Sequence, residues 1–159
     1  MNRLWAPWRM DYISGGVPEG CIFCNAPGAP PGSSLLLFSG HLSMVMMNRY
    51  PYNNGHLMVA PRRHGAEMDG LGAEESMDVL RLINRCVAVL KDVFKPGGFN
   101  IGLNLGRAAG AGIEDHIHWH VVPRWDGDTN FMPVVADVKV MPEHLMETVK
   151  KLRPHFDKP

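Results

Sequence analysis

The feature that most constrains this chain is the stretch Asp115-His116-Ile117-His118-Trp119-His120-Val121-Val122-Pro123-Arg124. Three histidines alternate with Ile117, Trp119 and Val121. Side chains on an extended strand point to opposite faces with period two, so the three imidazoles share one face while the apolar residues pack inward. Same-face neighbours stand roughly 6.5–7 Å apart along a strand, which suits one imidazole attacking a substrate atom while another holds an oxygen of the same group. It also suits metal ligation. Incidental burial of three histidines is the competing reading, and it gives no reason for clustering the side chain whose charge changes near neutrality.

A half-buried strand needs a sheet and a core. At 159 residues, 45% hydrophobic and 20% charged, the chain is expected to fold as one domain. Within it we read residues 1–20 as an N-terminal arm, 21–126 as the core and 127–159 as a C-terminal extension. Lys plus Arg equals Asp plus Glu at 16 each, so no net field draws the chain to a nucleic-acid backbone or an acidic membrane. The expected partner is a small molecule. No apolar run approaches the ~20 residues that span a bilayer, and Met1-Asn2-Arg3-Leu4-Trp5 lacks the apolar segment of a signal peptide, so a cytoplasmic location is expected.

The arm holds Trp5, Pro7, Trp8 and Tyr12 without clear periodicity. Next come Cys21-Ile22-Phe23-Cys24 and a Pro/Gly-rich run from Ala26 to Ser33 that reads as loop. The cysteine pair is therefore expected outside regular structure. Pro27, Gly28, Pro30 and Pro31 oppose the helix that a thioredoxin-like redox pair begins, so zinc is the better reading of the pair.

Short apolar runs over residues 34–38, 42–47 and 56–61 predict three meandering strands, the first turn marked by Ser39-Gly40-His41. Over 73–94, Met77, Leu80, Ile83, Val87, Leu90 and Phe94 recur at steps of three and four, predicting a long core-packing helix. Cys86, beside that stripe, reads as a buried structural thiol. Pro96-Gly97-Gly98 ends the helix. Residues 99–104 and 116–123 predict two further strands, and Pro142–Leu152 a short amphipathic helix. Between those strands, Gly106–Gly112 is a small-residue loop whose backbone N–H groups suit an anion. It lacks the Gly-Lys-Ser/Thr ending of a P-loop, and a strand rather than a helix follows it.

The pattern His-φ-His-φ-His-φ-φ in His116–Val122, with φ apolar, resembles the signature of the histidine triad family of nucleotide hydrolases and transferases. Asn48-Arg49-Tyr50-Pro51, Gly55-His56 and Pro61-Arg62-Arg63-His64 resemble the strand and loop before that family's central helix. Arg3–Arg9 and Val122–Phe131 are further similar to the branch containing bacterial diadenosine tetraphosphate phosphorylases. The resemblance implies an α+β fold with a five-stranded antiparallel sheet, one long central helix and a short C-terminal helix, assembled as a homodimer whose two sheets run together. It implies an enzyme acting at the α-phosphorus of a nucleotide, with His118 as nucleophile and a covalent nucleotidyl-imidazole intermediate. His120 would donate to a phosphate oxygen, Asn104 would lie near the phosphates, and Asn48 would reach the ribose hydroxyls. Ile22 and Met47 would line the base pocket, and His56 would support the other histidines.

The resemblance also completes a structural zinc set of Cys21, Cys24, His64 and His116, which leaves His118 and His120 for substrate. This chain departs from the family where many members carry Gly-Gln-Ser/Thr before the triad. Here Ala111-Gly112-Ile113 keeps backbone donors, at Gly112 among others, but loses the side-chain donors to the leaving group. With Arg107 in the same loop, there is room and positive charge for a phosphate acceptor, which favours phosphorolysis of diadenosine tetraphosphate. Three alternatives remain: hydrolysis of nucleoside phosphoramidates or adenylylated amines, nucleotide sensing with little turnover, and a zinc-hydroxide hydrolase using His116, His118 and His120 as ligands.

Overall fold

In the computed structural model the described residues are 20–30, 34–128 and 141–157. The aromatic arm and Thr129–Phe131 lie outside them. Five strands form one antiparallel sheet: β1 (Leu36–Ser39), β2 (Ser43–Met47), β3 (Leu57–Pro61), β4 (Gly98–Leu103) and β5 (Trp119–Arg124). Their order is β1-β2-β3-β5-β4, so the histidine-bearing chain ends up inside the sheet, between β3 and β4. All five predicted strands are present, with ends shifted by at most three residues; β5 begins at Trp119, so of the three histidines only His120 lies within it and His116 and His118 precede it. The Gly40 amide closes the predicted β1–β2 turn by donating to the Ser43 carbonyl at 2.9 Å.

The strands' period of two divides the interior between two faces. Val45, Met47, Leu57, Val59 and Val121 belong to the cluster packed against the helices. Met44, Met46, Met58 and Ala60 belong to the cluster on the opposite face, with Phe23. Met58 is the register partner of His120, which places the imidazole on this second face.

The long helix, Ala73–Phe94, spans the predicted residues. Because a short helix α1 (Ile22–Asn25) precedes it, we number it α2. Glu75 caps its start by accepting from the Gly72 amide at 3.0 Å, and Lys95, at φ 49°, ends it in the left-handed region before Pro96. Its buried face differs from the predicted stripe. Val79, Leu82, Ile83, Cys86, Val89 and Leu90 face the sheet, whereas Met77 and Leu80 are 59% and 55% exposed. The two sets share Ile83 and Leu90 and have the same three-and-four spacing, so periodicity does not choose between them. The sheet takes the set containing the smaller Val79, Cys86 and Val89, and Cys86 lies in the middle of the stripe rather than beside it.

The C-terminal helix α3 (Leu145–Phe156) runs four residues beyond the predicted end, through Pro154. Phe156 is buried in the helix-side core, and Arg153 donates to the carbonyls of Ser34 and Leu36 at 2.8 and 3.1 Å. These contacts hold the last turn against β1 despite the proline. Among the described residues no helix is long and apolar enough to cross a membrane.

Candidate active site and metal centre

A row of rings crosses the second face of the sheet. Tyr52 stacks on His56 at 4.8 Å, His56 meets His120 at 5.0 Å, and His120 meets His118 at 4.9 Å. Phe23 lies 4.9 Å from both His118 and His116, and His64 meets His116 edge-on at 5.2 Å. His116 is fully buried and His118 is 5% exposed.

Their hydrogen-bond partners assign the tautomers. A carbonyl only accepts, so His118 Nδ1 carries the proton donated to the His116 carbonyl at 2.8 Å, and its Nε2 keeps a lone pair. The Tyr52 amide donates to His56 Nδ1 at 3.0 Å, which puts the His56 proton on Nε2. That proton is donated to His120 Nδ1 at 2.9 Å, so neutral His120 carries its own proton on Nε2. One imidazole thus presents a lone pair and its neighbour an N–H. Burial holds the pKa of His118 below the ordinary histidine value. Burial, and then the neighbouring His118, lower that of His120 to about 4. Both rings are therefore neutral near pH 7, the form in which an imidazole nitrogen can act as a nucleophile.

At the other end of the row lie the sulfurs of Cys21 and Cys24. The pair is not outside regular structure, contrary to expectation. Cys24 lies within the single helical turn of α1 and Cys21 immediately precedes it, and Pro27 sits at the start of the 3-10 turn Ala26–Gly28, where its missing N–H costs nothing. The turn brings the two sulfurs to one side and buries Phe23 against the histidines. Cys21 Sγ is 3.2 Å and Cys24 Sγ 3.7 Å from His116 Nδ1, and Cys24 Sγ is 3.4 Å from His64 Nδ1.

Around a tetrahedral zinc, Zn–S of about 2.3 Å and Zn–N of about 2.0–2.1 Å place ligand atoms roughly 3.3–3.8 Å apart. The four ligand atoms here all lie within 4.8 Å of one another. His116 donates from Nε2 to the Pro61 carbonyl at 2.8 Å, which orients Nδ1 towards the sulfurs as a ligand's outer partner does. The residues fit a metal. Because His118 donates to the backbone carbonyl of His116, whatever fixes His116 also orients His118.

Other expected site residues are placed less uniformly. Ile22 packs with Met44, Met46 and Met58 on the histidine face. Met47 does not: it is fully buried in the helix-side core, and by strand alternation it is Met46 that packs on the histidine face. Asn48 Oδ1 accepts from the Tyr50 amide at 2.9 Å, and the Asn48 amide donates to the His56 carbonyl at 3.0 Å. Asn104 Nδ2 donates to the Gly110 carbonyl at 3.4 Å, closing a loop in which Gly106 and Gly110 have φ of 76° and 87°. Gly112 is exposed, and Arg107 is exposed on the 3-10 turn Arg107–Ala109. Phe23 and Tyr52, which contact the histidine rings, and Met46, which packs on the same face, are the neighbours of the row that sequence reasoning missed. Alternation along β2 could have found Met46, whereas nothing local distinguishes the other two from core or surface aromatics.

The fold and this row of histidines define a class: the chain belongs to the HIT domain family of nucleotide-processing enzymes, whose family model matches residues 33–127. It is 37% identical to the AP-4-A phosphorylase of Mycobacterium tuberculosis, over 96% of this chain and 83% of that protein. It is 31% identical to the adenosine 5'-monophosphoramidase hnt1 of Schizosaccharomyces pombe, over 65% and 74% of the two chains. Its fold is that of a Zn-bound histidine triad family protein from Mycobacterium smegmatis, with a TM-score of 0.68 and 24% identity over 87% of this chain and 94% of the other.

Proposed function

We propose that this enzyme transfers a nucleotidyl group from a dinucleoside polyphosphate, diadenosine tetraphosphate in the first instance, to inorganic phosphate. The observation that carries this reading is the opposed pair of tautomers, an Nε2 lone pair on His118 beside an Nε2–H on His120. His118 Nε2 attacks the α-phosphorus, forming a P–N bond and breaking the P–O bond to the leaving ATP. The adenylyl group is then carried on an imidazolium that keeps its Nδ1–H on the His116 carbonyl. His120 donates to a non-bridging oxygen, and the backbone of the Gly106–Gly112 loop offers N–H groups to the developing charge. In the second step a phosphate oxygen attacks the same phosphorus, the P–N bond breaks, and ADP leaves. Ile22 and Met46 would line the base pocket, Asn48 would meet the ribose and Asn104 the phosphates.

Phosphate rather than water is favoured by the likeness to AP-4-A phosphorylase, by the small-residue loop and by Arg107 within it. Incubation of the protein with diadenosine tetraphosphate should give ATP and ADP, at a rate that rises with inorganic phosphate. AMP in place of ADP, at a rate indifferent to phosphate, would make water the acceptor. The likeness to the monophosphoramidase supplies the second substrate class to assay.

Cys21, Cys24, His64 and His116 would hold a structural zinc, whose contribution is to tie α1 and the loop after β3 to the segment leading into β5. The reading includes a homodimer. β4 is an edge strand, and Met77, Leu80 and Ile101 leave apolar surface exposed that a second copy would cover. Sedimentation should find a dimer that Leu80→Glu weakens, and a monomeric wild-type protein at micromolar concentration would refute it.

A further inference from the structure

The proton on His120 depends on a contact made by a loop. If the Tyr52 amide withdrew from His56, the other His56 tautomer would become accessible, with its proton on Nδ1 and a lone pair on Nε2. His120 would then donate from Nδ1 to His56, and its Nε2 would face the substrate without a proton. One displaced N–H thus reverses the polarity of the chain of imidazoles.

The loop is fixed by polar side chains outside the row of rings. Asn53, 7% exposed, donates from Nδ2 to the Pro123 carbonyl at 3.1 Å and to Asp128 Oδ2 at 2.5 Å. Asp128 also accepts from Arg124 Nε and Nη2 at 2.6 and 2.8 Å and from the Trp125 amide at 3.2 Å, while Arg124 Nη1 donates to Asn100 at 2.6 Å. The buried Thr148 hydroxyl of α3 lies 3.0 Å from Asn54 Oδ1 and 2.8 Å from Glu143 Oε2. Gly55, at φ 77°, turns the chain against Leu90 and Phe94 on α2. Packing alone would be served by apolar residues here. Buried polar groups are costly unless paired, and paired they hold one geometry against its neighbours.

We propose that Asn53 and Asp128 are positioning residues for the reaction: they tie the loop carrying Tyr52 and His56 to the end of β5, and so decide which nitrogen of His120 presents the proton. The C-terminal extension thereby acquires a role in the active site, through Asp128 directly and through Thr148 on Asn54. The inference rests on the proposed reading of His120 as donor to the phosphate.

The test compares zinc-loaded wild type, Asn53→Ala, His56→Ala and the double variant, with turnover of diadenosine tetraphosphate and the imidazole ¹⁵N shifts of His120 as readouts. Asn53→Ala should lower kcat on the order of ten- to a hundredfold with KM within about threefold, the scale of a small misplacement of a reacting group. The His120 ¹⁵N signals should move away from the pure Nε2–H pattern. In the His56→Ala background the same substitution should cost no more than about twofold, because residues acting through one another are not additive. A merely structural role predicts a lower melting temperature with the tautomer unchanged, or equal losses of kcat in both backgrounds, and either result overturns the proposal. If Asn53→Ala is too unstable to purify, Asp128→Asn is judged by the same two criteria. The ¹⁵N readout needs no substrate, so an error in the substrate or acceptor would not disturb it.

Discussion

His118→Ala should abolish turnover, lowering kcat by at least about 10⁴-fold, while nucleotide affinity stays within about tenfold of wild type. The lost group acts mainly in the transition state, and with it goes the covalent route, so mass spectrometry after mixing with substrate should find no nucleotidylated protein. Because His118 is buried against Phe23, the alanine also leaves a gap. His118→Asn separates the two effects, since its amide retains a donor for the His116 carbonyl and supplies no nucleophile. Both variants should be inactive, and only the first should be noticeably less stable. His120→Ala removes one donor to the phosphate oxygens and should cost less, roughly 10²–10³ in kcat. Near-normal turnover by either His118 variant would sink the nucleophile assignment whatever the substrate proves to be.

Cys21→Ser should lose both zinc and stability. Elemental analysis of the wild type should find about one zinc per chain, and the variant should fall well below that. A bound metal stabilises the folded chain by about 4 kcal/mol when its free concentration is a thousandfold above the dissociation constant. For a chain of this size each kcal/mol is worth about 2–4 °C, so the expected drop in Tm is about 8–16 °C. Cys24→Ser should behave alike, because its sulfur lies against both His64 and His116. Cys86→Ala is the control: that thiol is fully buried on the sheet-facing side of α2, burial pushes its pKa far up, and it lies outside the four-residue cluster. It should keep its zinc. Turnover should fall with zinc in the Cys21 variant, since His116 then loses the anchor that orients His118. Cys variants that retained zinc, with His118→Ala losing it, would instead support a zinc-hydroxide hydrolase built on the triad.

Much of this molecule is set by local chemistry that a sequence displays. Period two in His116–Val122 points to three imidazoles on one side, although only His120 lies within β5, and the continuous apolar runs of β2 and β3 mark strands buried on both faces. The helix over 73–94 follows from its apolar spacing and from the Pro-Gly-Gly that ends it. The four candidate metal ligands were legible through resemblance and chemistry together, and the fold brings them to one place.

What only the tertiary structure decided are choices between locally equivalent alternatives. Two stripes on the long helix have the same periodicity, and only docking on the sheet selects Val79, Cys86 and Val89 over Met77 and Leu80. Met46 and Met47 are the same residue type one position apart, and only the pairing of β3 with β5 shows which side carries the histidines. The insertion of β5 between β3 and β4 joins segments far apart in the chain, for which no local signal exists. The proton on His120 is the clearest case. It depends on an amide at Tyr52, a loop held by Asn53 and a carboxylate at Asp128, groups that hydrogen-bond geometry couples and sequence separation conceals.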